Sequence, residues 1–226
     1  MTQGFLNALK RADPSFRPKV IFDVGANVGH TAEQFLARFP EARVYCFEPA
    51  PATFATLRDK LGADARVSLH QLALDSRDRE VRFTNTKGST GNRILGEREA
   101  ADEAEVVQAL RADAFCAERA LDEIDIVKID TEGNDLKVLV GFTGRLQTKA
   151  VKYLQVECTP SPDNRFHVQL GDFLQFLAPF GYRLFGLFEF TRRIYRTRQK
   201  LNGVWFCNAV FVREVENPRL RKERLN

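Results

Sequence analysis

Short apolar runs of strand type alternate along this chain with segments whose apolar residues recur every three or four positions. Residues 3–12 (QGFLNALKRA) have Phe5, Leu6 and Leu9 on one helical face, and Pro14 and Pro18 close the segment. A first strand is predicted over 19–23. A helix follows from about Gly29 to Phe39, with Ala32, Phe35, Leu36 and Phe39 inward and Pro40 at its end. A second strand covers Arg43–Phe47 and runs straight into Glu48-Pro49. Pro51 starts a helix that Gly62 stops, and a third strand is predicted over Val67–Leu74. Strand and helix alternating at this spacing predict parallel strands joined by right-handed crossovers, an α/β doubly wound sheet.

From Asp75 the pattern changes. Residues 80–85 alternate as an edge strand does, and 105–109 suit a partner for them. Between them, 86–104 is rich in Gly, Ser, Thr, Asn and charge and is expected to form a substrate-side flap. A helix at 113–120 leads to a fourth strand at Ile124–Ile129 and a helix through Val138, Leu139 and Val140. A fifth strand spans Val151–Val156. The segment 169–180 is an amphipathic helix, and 181–187 and 204–212 are the last two strands. One domain over 1–226 is expected, with 1–18 a helical extension and 213–226 a charged tail.

The composition supports a large core: 226 residues, 44% hydrophobic and 28% charged. The net charge of +4 is too mild for a nucleic-acid binder. No run is apolar and long enough to span a bilayer, and no secretory signal is read at the start, so a cytoplasmic location is expected. Cys46, Cys116, Cys158 and Cys207 are scattered, which suits buried thiols in a reducing compartment better than disulfides or zinc.

The chemistry concentrates where the first strand breaks, at Asp23-Val24-Gly25-Ala26-Asn27-Val28-Gly29. Glycine at 25 and 29 admits positive φ and leaves room for a ligand. A dinucleotide fingerprint needs bare backbone at its second glycine, where Asn27 stands, so the register disfavours NAD. The pattern D-x-G-x-N-x-G instead resembles the first motif of class I S-adenosylmethionine (SAM) methyltransferases. An amino-acid end of a ligand suits Asp23 and Asn27, which can accept from an ammonium.

Ligands in open parallel sheets bind beyond the carboxyl ends of the strands. Each of the five predicted strand ends there carries or abuts an acid: Asp23, Glu48, Asp75, Asp130 and Glu157. Glu48 is where a ribose is expected, since one carboxylate accepts from both ribose hydroxyls.

Taken together, DVGANVGHTA, the FEP at 47–49, LALDS at 72–76, VKIDTEGNDLKVLVGF at 127–142 and the acid at 157 resemble the FkbM-type SAM-dependent methyltransferases, from about residue 19 to 187. One departure is Asn134-Asp135, where the family more often has a small residue and Glu. The resemblance implies a Rossmann-like, seven-stranded, mostly parallel sheet with helices on both faces and the last strand antiparallel. It implies O-methylation of a hydroxyl on a sugar, glycolipid or secondary metabolite, with SAM as cofactor. Carried over by position, Asp23, Gly25, Asn27 and Gly29 would hold the methionine part and Glu48 the ribose. Ala73 and Leu74 would flank the adenine with Asp75 nearby, and Asp130 would face the reacting end.

An alcohol becomes a good nucleophile when a base takes its proton. Asp130 and Glu132, on the turn after the fourth strand, are the expected bases; His30 and Glu157 are the other candidates. No metal site is expected, because too few ligands cluster. His70 and His167 receive no role. The basic run from Arg192 to Arg198 suits a phosphate or carboxylate on the substrate, or a solvated loop. No nucleic-acid partner is expected, and a homo-oligomer is left open. The competing readings are an NAD-linked oxidoreductase, a non-catalytic SAM-binding domain, and an RNA or protein methyltransferase, the last disfavoured by the lack of an N-P-P-[YF] segment.

Overall fold

The computed structural model describes residues 2–84, 92–96, 104–194 and 202–214. Most of the 86–104 excursion, the basic residues after Arg193 and most of the 213–226 tail lie outside them.

Seven strands form the main sheet. These are β1 (Val20–Val24), β2 (Arg43–Phe47), β3 (Val67–His70), β7 (Ile124–Ile129), β8 (Val151–Cys158), β9 (Tyr182–Ile194) and β10 (Asn202–Arg213), in the order β3-β2-β1-β7-β8-β10-β9. The first five pair in parallel, and β10, the last in the chain, runs antiparallel between β8 and β9. A second sheet, β4-β6-β5, contains β4 (Ala73–Leu74), β6 (Ala104–Leu110) and β5 (Arg79–Thr84).

Alternation along the strands divides the core between two faces. Ile21 and Ile126 point to one side with Val44, and pack on α1 (Gln3–Ala12), α2 (His30–Arg38) and α3 (Pro51–Leu61). Phe22, Val127 and Leu154 point to the other. They pack on α4 (Ala112–Glu118), α5 (Asp135–Gly141), α6 (Thr143–Gln147) and α7 (Leu170–Leu177), which a 3-10 turn at Ala178–Phe180 extends. Both faces of a largely parallel sheet are thus covered, as burial of its two apolar faces demands.

Two strand predictions need correction. The predicted third strand, Val67–Leu74, is two strands: β3 ends at His70, and Ala73–Leu74 pairs with Ala109–Leu110 of the second sheet. The strand β3 is the sheet edge, so the chain can leave it once Glu48 N–H has bonded to His70 O. The strand predicted at 181–187 continues to Ile194. Its distal half mixes Phe188 and Phe190 with polar residues, of which Glu189 and Thr191 border a cavity, and Glu189 takes φ of 49° there.

The helix α1 is part of the core. Phe5 is fully buried, its ring 5.9 Å from Tyr153, 6.3 Å from Phe185 and 6.2 Å from Phe188. Phe5→Ala is expected to lower the unfolding free energy by about 3–5 kcal/mol in a urea titration. A change below about 1 kcal/mol would make α1 an appendage.

Candidate functional site

The β1–α2 turn is built around close backbone contact. Gly25 has φ of +72°, and a Cβ there would lie 1.9 Å from Asp130 O, so only glycine fits beside the end of β7. Asn27 has φ of 50°, a conformation Asn tolerates because its side chain bonds locally; here Oδ1 accepts from Val28 N–H at 2.7 Å. Asn at the middle of the motif is therefore a backbone requirement as well as a ligand group. Gly29, at φ +86°, faces away from the cavity: a Cβ would meet Leu57 and Leu61 at 2.8 Å. It lets α2 start against α3.

Beneath the turn lies a buried charge cluster. Lys128 Nζ donates to Gly25 O at 2.9 Å and stands 3.0 Å from Asp23 Oδ1 and 3.5 Å from Asp130 Oδ2. Asp23 is fully buried, which raises its pKa; Lys128 works most strongly against that rise, with a smaller contribution from the Ala32 backbone N–H. Burial works against the lysine charge, but Asp23 and Asp130 outweigh it and raise its pKa. Asp23, expected to hold the methionine end, is buried beneath the turn against Lys128, and Lys128 lines the cavity. Asp75 is likewise buried outside the wall, accepting from Arg79 and from Asn134 Nδ2 at 3.3 Å.

The cavity of about 480 Å³ opens over the carboxyl ends of β1, β2, β7 and β8. Gly25, Asn27, Glu48, Ala73, Leu74 and Asp130, all expected at a cofactor, line it. Glu48 Oε2 accepts from Asn27 N–H at 3.0 Å and Oε1 from Ala50 N–H at 2.9 Å. Burial pushes its pKa up, against those two donors. Phe83 and Ile94 complete the apolar end around Ala73 and Leu74. They belong to the second sheet and the bridge Phe83–Ile94, which no local motif foretold.

Five carboxylates line the cavity: Glu48, Asp130, Glu132, Glu157 and Glu189. Among the described residues, the lysine or arginine in the wall is Lys128, and its charge is already compensated. The cavity therefore favours a cation.

At the other end, Glu132, Glu157 and His167 bring their polar atoms within 4.8 Å of one another. Glu132 has φ of 55° on the turn after β7, and burial, then the charges of Asp130 and Glu157, push its pKa up to about 7. Asp135, which accepts from Thr131 and from Glu157 N–H, is also raised to about 7, chiefly by burial. His167 went unassigned from sequence because its loop carries no motif. His30, by contrast, is an exposed first-turn residue beside Glu33 and Lys60.

The Methyltransferase FkbM domain matches residues 23–184. The chain belongs to the FkbM methyltransferase family. The 2-O-methyltransferase NoeI of Sinorhizobium fredii is 28% identical to this FkbM chain over 151 residues, covering 60% of each protein. The hexuronic acid methyltransferase AglP of Haloferax volcanii is 28% identical over 140 residues, covering 61% of this chain and 55% of AglP. The chain thus spans a little over half the length of these relatives. Among solved structures, magnesium protoporphyrin IX methyltransferase ChlM from Synechocystis PCC 6803, with bound SAM, aligns with TM-score 0.52 at 12% identity. It covers 94% of this chain and 79% of ChlM. Precorrin-6y C5,15-methyltransferase from Geobacter metallireducens GS-15 aligns with TM-score 0.51 at 14% identity, over 94% and 87% of the two chains. The fold of this FkbM chain is that of class I SAM-dependent methyltransferases.

The charge cluster carries a stability prediction. Lys128→Met strands Asp23 as an unpaired buried acid and should cost about 3–5 kcal/mol by denaturant titration. An unchanged midpoint would show that Asp23 needs no partner.

Proposed function

We propose that this chain is a SAM-dependent O-methyltransferase whose acceptor is a hydroxyl on a sugar, a glycolipid or a related secondary metabolite. The observation that carries the reading is the acid-lined cavity at the strand ends of an FkbM domain. It suits a sulfonium and an ammonium. A dinucleotide's pyrophosphate would meet five carboxylates there, and among the described residues no uncompensated lysine or arginine in the wall. The sugar acceptor is supported by the names of the relatives, a 2-O-methyltransferase and a hexuronic acid methyltransferase. Four buried free thiols, including Cys158 and Cys207 with sulfurs 3.8 Å apart, suit a cytoplasmic location. No helix among the described residues is long and apolar enough to cross a membrane.

Glu48 would hold the ribose hydroxyls, Ala73 and Leu74 the adenine, and Gly25, Asn27 and Asp130 the methionine end. When bound, SAM supplies a methyl group activated on a sulfonium. Glu132 is the base: it lines the cavity with a pKa raised to about 7, whereas Asp130 already stands beside Lys128. Glu132 would take the proton of the acceptor hydroxyl and so make its oxygen the nucleophile toward that methyl group. Holding oxygen, methyl and sulfur in line is worth up to roughly 7–11 kcal/mol.

A panel of hydroxylated glycans incubated with methyl-labelled SAM tests the reading. Glu132→Gln should lower turnover by roughly 10²–10⁴-fold with little change in SAM affinity. Full turnover in that variant would remove Glu132 as the base. Glu48→Ala should weaken SAM binding by roughly tenfold to a hundredfold. Because Glu48 also holds two backbone N–H groups, thermal unfolding is followed alongside. Unchanged affinity in the folded variant would end the ribose assignment.

A further inference from the structure

Glu157, in the cavity wall, ends a hydrogen-bond chain whose direction is fixed. Asn164 is fully buried. Its Oδ1 accepts from the backbone N–H groups of Phe166 at 3.0 Å and His167 at 3.1 Å. The amide is therefore oriented with Nδ2 toward the Trp205 carbonyl, at 2.9 Å, and toward His167 Nδ1, at 2.9 Å. An NH₂ group facing Nδ1 requires a lone pair there, so the ring proton resides on Nε2. From Nε2 it is donated to Glu157 Oε2 at 3.0 Å. The ring is held flat against Phe206, with centroids 4.4 Å apart and planes 21° apart.

The backbone brings Glu132 to the same place. Gly133 has φ of +94°, and a Cβ there would lie 2.4 Å from Phe166 O. Only glycine lets the turn after β7 press against the 161–169 loop.

We propose that Asn164, His167 and Glu157 form a one-way hydrogen-bond chain that fixes Glu157 as an anion beside Glu132, so that His167 is a positioning residue for proton transfer from the acceptor. The inference rests on the methyl-transfer reading for its purpose, but the chain itself is tested without an acceptor. The charged and titratable groups facing Glu132 are Asp130, Asp135, Glu157 and His167. Of these, Glu157 is the one whose position depends on the histidine. Like charge held close raises the proton affinity of a neighbouring carboxyl, which suits a base that works near neutral pH. The same chain disfavours a metal at Glu132, Glu157 and His167, because Nε2 already carries a proton and the Nδ1 lone pair already accepts a hydrogen bond from Asn164 Nδ2.

The carbohydrate-free protein suffices for the test. Nitrogen-15 NMR of the imidazoles at pH 8 should find His167 neutral, protonated on Nε2 and bare on Nδ1. A proton on Nδ1 overturns the proposal. In protein labelled with carbon-13 at the glutamate carboxyls, Glu132 should titrate at about 7. Glu157→Gln removes the neighbouring charge and should lower the proton affinity of Glu132 by roughly tenfold or more. His167→Ala frees Glu157 to swing away and should lower it in the same direction, the opposite of the rise that follows if His167 acts only as a neighbouring positive charge. Such a rise overturns the proposal. His167→Gln, by contrast, keeps an N–H donor and should hold the wild-type titration. No shift in His167→Ala, or a shift in His167→Gln as large as in His167→Ala, overturns the proposal. Circular dichroism checks that each variant is folded. An empty glycan panel alongside the expected titrations would end the glycan-acceptor reading and leave the anchored pair standing.

Discussion

Everything around the cavity depends on one buried ammonium. Lys128 comes from β7 and reaches under the first turn to Gly25 O, Asp23 and Asp130. It ties the ends of the two central strands together where the crevice opens. Asp23 can be fully buried as an anion only because Lys128 is there, and Lys128 can line a cavity without attracting anions only because Asp23 and Asp130 compensate it. Gly25 completes the arrangement: the space its missing side chain leaves is occupied by Asp130 O. Sheet, turn and wall charge are thus one construction.

With Lys128 neutralised, the character of the cavity is set by its carboxylates. They are not equivalent. Glu48 is pinned by two backbone N–H groups near the apolar end, which makes it a fixed acceptor. Glu132 at the opposite end is crowded by Asp130 and Glu157 and holds its proton near neutrality. One carboxylate held by two backbone donors and one whose pKa is raised to about 7 thus line a single cavity.

Much of this was legible in the sequence because it is local. The apolar periodicities placed the core of the fold, and Asp23 through Gly29 marked the turn. Glu48, Asp130 and Glu132 were found because residues that follow a parallel strand must lie at the sheet's carboxyl edge. What was not legible depends on contacts between distant segments. Asp23 reads as a ligand group until Lys128, 105 positions later, is seen beside it. Gly29 reads as a ligand glycine until Leu57 and Leu61 are seen against it. The break after His70 follows from an edge position that periodicity does not encode. His167 lies in a loop without a motif, and its partners, Asn164 and Glu157, meet it only through the fold.

An acid-lined cavity should take a sulfonium-bearing cofactor in preference to a phosphate-bearing one. Titration calorimetry of the full chain with SAM and, separately, with NAD measures this preference. Saturable one-to-one binding of SAM with no heat of binding from NAD is expected. Binding of NAD without binding of SAM would overturn the preference.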